Sequence, residues 1–163
     1  MKTNRFEAIK KGGKKQFPYM VDPNTDVSMY ESDDIITYLF ETYGDGQVPS
    51  SLTGGFLTTL SCGLGLLARA GKGSKFEESK PPKKPIVYWG YEASPFCKIV
   101  RERLVELEIP HIARNCARGS SKRQELFEKT GTFQVPFIED PNTGVNMFES
   151  ADIIRYLNEN YAV

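Results

Sequence analysis

The sequence is poor in the residues that most often announce chemistry. It has one histidine, three cysteines and one tryptophan in 163 residues. A lone histidine, His111, cannot assemble a metal centre by itself, so its expected role is structural and no metal is expected. The cysteines are Cys62, Cys97 and Cys116. No two are spaced as Cys-x-x-Cys, and an odd number does not make a disulfide framework, which points to a reducing compartment. Charge of one sign is also missing, because 21 Lys and Arg balance 21 Asp and Glu. That balance gives no electrostatic footprint for nucleic acid or an acidic membrane surface.

Long hydrophobic runs are absent as well. Lys2, Arg5, Lys10, Lys11, Lys14 and Lys15 crowd the start, but no apolar stretch follows, so a secretory signal is excluded. The same stretch has no serine, which argues against a transit peptide. The most apolar segment, Gly55 to Ala68, is interrupted by Gly63 and Gly65. It falls well short of the ~20 residues needed to span a bilayer and reads as a short buried helix or interface segment. A soluble protein is expected.

What is present is an internal repeat. Residues 16–43 match residues 134–161 at 17 of 28 positions with a constant offset of 118. Asp22-Pro23-Asn24-Thr25 returns as Asp140-Pro141-Asn142-Thr143, and Glu31-Ser32 returns as Glu149-Ser150. Arg5, Glu7, Lys11 and Gly13 extend the match to Arg123, Glu125, Lys129 and Gly131. The first copy has no counterpart of residues 82–122, so it reads as the second half of a unit, and Met1 is expected not to be the start of the full protein. The intervening stretch is rich in Gly and Ser and ends in Lys80-Pro81-Pro82-Lys83-Lys84. Its composition predicts a connector. The expected organisation is a truncated repeat over 1–43, a connector over 44–80 and a complete domain over 81–163.

Within the complete copy, Pro85 to Trp89 reads as a strand. Phe96, Ile99, Val100, Leu104 and Leu107 lie at helical spacing, and Pro110 ends that helix. His111 to Cys116 forms a second strand. Ser121 caps a helix carrying Leu126 and Phe127, which Thr130-Gly131 stops. Val135 to Glu139 and Val145 to Glu149 flank the Asp140 to Gly144 turn as a hairpin. Ser150 caps a last helix with Ile153, Ile154, Leu157 and Tyr161 on one face. The expected class is α/β: a βαβ unit, a helix, a ββ hairpin and a final helix, with a mixed sheet covered on both faces.

This order resembles the thioredoxin-like fold. Three motifs resemble its glutathione-binding branch, shared by glutaredoxins and glutathione S-transferase N-terminal domains: Ser94-Pro95-Phe96-Cys97, Val135-Pro136 and Glu149-Ser150. The tandem arrangement is similar to plant plastid proteins with two such domains in series, so the resemblance implies a chloroplast; otherwise the cytoplasm is expected. It implies glutathione as ligand and a cis Val135-Pro136 bond whose Val135 backbone pairs with the cysteinyl unit like an added strand. It also implies that Glu149 takes the γ-glutamyl ammonium, while Ser150 and the helix N-terminus receive the carboxylate.

Ser94 stands where a Cys-x-x-Cys site has its nucleophile, and a hydroxyl cannot form a mixed disulfide. Dithiol exchange is thereby excluded. Ser94 could hold the thiolate of bound glutathione, as in serine-type transferases, or Cys97 could act alone as a single-thiol redox switch. Transferases resembling this domain carry an all-helical second domain after it, and this chain stops at Val163. A non-catalytic interaction module therefore stays open beside the enzyme. The truncated repeat, with Ile35, Ile36 and Leu39 on one face, is expected to associate as a homodimer or with a partner unless residues 56–67 cover it.

Overall fold

The computed structural model describes residues 9–50, 52 and 76–163. The segment 55–68, Cys62 and the repeat positions Arg5 and Glu7 lie outside the described residues. The chain divides into two compact units, Met1–Ala70 and Gly71–Val163.

In the first unit, β1 (Tyr19–Asp22) and β2 (Val27–Tyr30) form an antiparallel hairpin, followed by α1 (Ser32–Tyr43). None of the α1 residues is buried. Ile35 and Ile36 are half-buried, and Leu39 is 42% exposed.

The second unit contains β3 (Ile86–Gly90), α2 (Pro95–Glu106), β4 (His111–Asn115), α3 (Ser121–Thr130), β5 (Phe137–Asp140), β6 (Val145–Phe148) and α4 (Ser150–Tyr161). Its sheet runs β4-β3-β5-β6. β3 is parallel to β4 and antiparallel to β5, and β5 is antiparallel to β6. The βαβ unit and the hairpin thus join into the expected mixed sheet.

Strand alternation builds two cores from one sheet. Ile86, Tyr88 and Ile138 face a cluster with Cys97, Val100 and Leu104 of α2 and Ile153, Tyr156, Leu157 and Tyr161 of α4. Trp89 and Phe137 face the other way, onto Leu126 of α3 and Cys116. Each fully buried aliphatic side chain here contributes about 1.5–3 kcal/mol.

Val100, Leu104 and Leu107 of the expected α2 stripe are fully buried, but its other two members, Phe96 and Ile99, are not. Cys97, Val100 and Leu104 are buried, whereas Phe96 is 61% exposed and Ile99 is also exposed. Cysteine packs as a small apolar residue, and it takes the inward position that the two larger neighbours were expected to hold. Leu126 is buried while Phe127 is exposed. α2 ends before Pro110: Leu107 is its C-cap, and Glu108 turns into positive φ.

Two caps also differ from expectation. Ser120, not Ser121, caps α3 by accepting a hydrogen bond from the Lys122 N–H at 3.2 Å. Gly131 closes that helix at φ 74°, a left-handed position that favours glycine. Ser150 is not the cap of α4. That position belongs to Glu149, at φ 68° and with no side-chain capping bond, and Ser150 is the first helical residue.

The last residues assigned to the connector belong with the second unit. Ser79 bridges Ala162, the Lys80 N–H donates to the Tyr161 carbonyl at 2.8 Å, and the Glu77 N–H donates to the Glu106 carbonyl at 2.9 Å.

Candidate functional site

The topology gathers three motifs at one end of the sheet. Trp89 of β3 pairs with Phe137 of β5, so the exit of β3 at Gly90 lies beside the entry to β5 at Pro136. Phe137 in turn pairs with Phe148, so the step that leads out of the hairpin places Glu149 and Ser150 at that same end. Ser94 follows the exit of β3, and Val135-Pro136 precedes β5. Sequence-distant residues therefore converge because two antiparallel pairings share β5.

Ser94 owes its place to Pro95. Proline at the first helical position biases its predecessor to extended backbone, and Ser94 has φ −83° and ψ 121°. In that conformation its hydroxyl caps α2, accepting from the Cys97 N–H at 3.3 Å. The Ser94 N–H donates to the Tyr91 carbonyl at 3.3 Å, and its carbonyl accepts from the Lys98 N–H at 3.0 Å. Ser94 is only 5% exposed. Its hydroxyl proton has no acceptor among the described residues. Glu92, in the approaching loop, pairs with Arg101 of α2.

Cys97 lies one turn inside the helix and is 1% exposed, packed in the larger core. Cys116 is also fully buried, and burial pushes its thiol above the usual range against the opposing pull of Arg123.

The Val135-Pro136 peptide is cis, as the resemblance implied. Val135 packs against both cores, including the cluster that holds Cys97. Gln134 beside it donates from Nε2 to Glu149 Oε1. This contact ties the loop before β5 to the start of α4. Gln134 was not among the residues singled out, although its recurrence as Gln16 in the repeat was the available signal. The first unit has the same arrangement: Phe17-Pro18 is cis, Gln16 Nε2 donates to Glu31 Oε1, and Glu31 has φ 67°.

A second group escaped the sequence reading. Asp140 is 1% exposed, and its carboxylate accepts from the hydroxyls of Tyr156 and Tyr161 and from the backbone and side-chain amide of Asn142. Burial alone would raise its pKa. The hydrogen bonds from Tyr161, Tyr156 and Asn142 outweigh that effect and hold the carboxyl below the usual value. Asp22 repeats this with Tyr43, Tyr38 and Asn24, whose hydrogen bonds bring its pKa down to about 2. These groups lock each hairpin to the helix after it and so hold the residues at the helix entrances.

His111 has Nδ1 2.9 Å from the Ile109 carbonyl oxygen and its ring edge-on to Tyr88. Among the described residues no group of three or more His, Cys, Asp and Glu is placed to hold a metal. No helix among them is long and apolar enough to cross a membrane.

Residues 2–47 and 89–163 match the family model for the glutathione S-transferase N-terminal domain. The chain belongs to this family, and its second unit has the thioredoxin-like order of elements. Among solved structures it is similar to a glutathione transferase homolog from Drosophila mojavensis with bound glutathione, at 25% identity and TM-score 0.41, over 46% of this chain and 34% of that one. Poplar glutathione transferase F1 is similar at 23% identity and TM-score 0.41, over 47% of this chain and 36% of that one. A Bombyx mori glutathione transferase is similar at 22% identity and TM-score 0.45, over 51% of this chain and 39% of that one. The chain thus spans little more than a third of the length of these transferases. No curated protein matches it.

Proposed function

We propose that the second unit binds glutathione and that Ser94 donates its hydroxyl proton to the bound thiolate. The observation that carries this reading is the Ser94 cap. Its oxygen is engaged by the Cys97 N–H at 3.3 Å, and its proton is free among the described residues. A donor fixed at a helix N-terminus favours a neighbouring anion through both the hydrogen bond and the helix dipole.

The rest of the ligand follows the geometry of the sheet end. The Val135 backbone lies outside the β5 ladder and offers its peptide groups to the cysteinyl unit. Glu149, oriented by Gln134, takes the γ-glutamyl ammonium. The Ser150 hydroxyl, which makes no capping bond, joins the first N–H groups of α4 in receiving the carboxylate. Cys97 is a packing residue in this reading, because a thiol that is 1% exposed meets neither peroxide nor a disulfide.

Such a site supplies an activated thiol, so the reaction class is thiol conjugation to an electrophile. The test is calorimetric titration of the full chain with glutathione. Saturable binding by millimolar ligand is expected, and its absence would overturn the proposal.

A further inference from the structure

The glutathione reading leaves Tyr88, Gly90 and the Cys97 carbonyl without a part, although they meet at Cys97, whose N–H engages the Ser94 hydroxyl. Tyr88 is buried in β3, and its hydroxyl donates to the Cys97 carbonyl at 3.0 Å. The N–H of the same Cys97 donates to Ser94 Oγ at 3.3 Å. Cys97 is therefore held at both backbone polar groups, by the strand on one side and by the serine on the other. Gly90 makes this fit: a Cβ there would stand 2.3 Å from the Tyr88 hydroxyl oxygen and 3.0 Å from Cys97 Sγ. No side chain could occupy that space without displacing the tyrosine oxygen.

We propose that Tyr88 is a positioning residue for the Ser94 site. Through its hydrogen bond to Cys97, in the space left by Gly90, it fixes the first turn of α2 and hence the direction in which the Ser94 hydroxyl points. The inference rests on the glutathione reading and adds to it the group that sets the serine's geometry. The physical argument concerns the long Cys97–Ser94 hydrogen bond. At 3.3 Å it lies past the usual N–H···O range, so a small shift of Cys97 breaks it and frees the serine rotor. A free rotor spreads its proton over several directions and donates less to any one of them. Burial also keeps the Tyr88 hydroxyl protonated, raising its pKa well above the ordinary tyrosine value, so it remains a donor.

The experiment is a pH titration of the thiolate absorbance of glutathione bound to the full chain, with free glutathione alongside. It compares the wild type with Ser94→Ala, Tyr88→Phe, Gly90→Ala and Tyr161→Phe. The wild-type midpoint is expected below that of free glutathione. Tyr88→Phe and Gly90→Ala are expected to raise it by about half to one pH unit, the scale of one neutral hydrogen bond. Tyr161→Phe removes a buried tyrosine hydroxyl from Asp140 instead of Cys97, and it should leave the midpoint in place despite its cost in stability. An unmoved midpoint in folded Tyr88→Phe overturns the assignment of Tyr88, as does an equal shift in Tyr161→Phe. If Tyr88→Phe does not fold, an unmoved midpoint in Gly90→Ala overturns the assignment, because that variant displaces the same hydroxyl. A wild type that binds no glutathione, or a midpoint unmoved by Ser94→Ala, overturns the glutathione reading and this one with it. A midpoint moved by Ser94→Ala but not by Tyr88→Phe overturns only this one.

Discussion

Tyr156 donates its hydroxyl proton to the buried Asp140 carboxylate at 2.7 Å, joining the last helix to the end of the hairpin. Tyr161 donates to the same oxygen from one turn further on. A hydrogen bond to a charged group contributes about 1.5–3 kcal/mol, so Tyr156→Phe and Tyr161→Phe should each lower stability by that order in urea unfolding. The two share an acceptor, so the double variant should not be additive.

The same cluster sets a pH dependence. The Asp140 carboxyl has a folded pKa below its unfolded value of about 3.9, so its contribution is complete above about pH 4 and is lost as pH falls through the folded pKa. Tyr156 and Tyr161 are shifted upward, first by burial. Their contribution is complete below about pH 10 and fades as pH rises through their folded values. Unfolding free energy measured against pH should fall at both extremes, and Asp140→Asn should flatten the acid limb.

Three serines at helix entrances of the second unit, Ser94, Ser120 and Ser150, should separate. Ser94 and Ser120 accept capping bonds, so alanine at either should cost about 1 kcal/mol. Ser150 makes none, and Ser150→Ala should change stability by less than about 0.5 kcal/mol while weakening glutathione binding. Denaturant curves and calorimetry on the same preparations check both halves.

Cys97 and Cys116 should resist iodoacetamide in the native protein and react fully in denaturant, because both are buried. Mass spectrometry after mild peroxide should likewise find Cys97 unmodified. Rapid native labelling of Cys97 would revive the redox-switch reading.

Amides of α1 should exchange faster than those of α4, although the two helices are copies in sequence. α4 buries Ile153, Tyr156, Leu157 and Tyr161, and α1 buries none of its residues. Hydrogen exchange resolved by residue measures this directly.

The hairpin was legible because Asp140-Pro141-Asn142-Thr143-Gly144 is a turn in its chemistry, and Gly131 was legible because a helix stop there needs positive φ. The cap of α4 was not. Serine is the better capping residue, but Gln134 engages the Glu149 side chain and the hairpin delivers Glu149 at φ 68°, which makes it the boundary residue. The α2 stripe was legible at Val100, Leu104 and Leu107, but helical spacing also took in Phe96 and Ile99, and only the sheet beneath puts the smaller Cys97 inward instead. Asp140 read as a turn residue because its partners lie 16 and 21 positions away. The recurrence of Asp22, Tyr38 and Tyr43 was the one trace of that cluster in the sequence. Convergence of Ser94, Val135 and Glu149 depended on strand order, which no local pattern contains.

The most direct test of the account is the proton balance of glutathione binding, measured calorimetrically near neutral pH in buffers of different ionisation enthalpy. The account predicts saturable binding by the full chain with net proton release as the thiol ionises, and loss of that release in Ser94→Ala. No binding at millimolar glutathione, or the same proton release in wild type and Ser94→Ala, would contradict it.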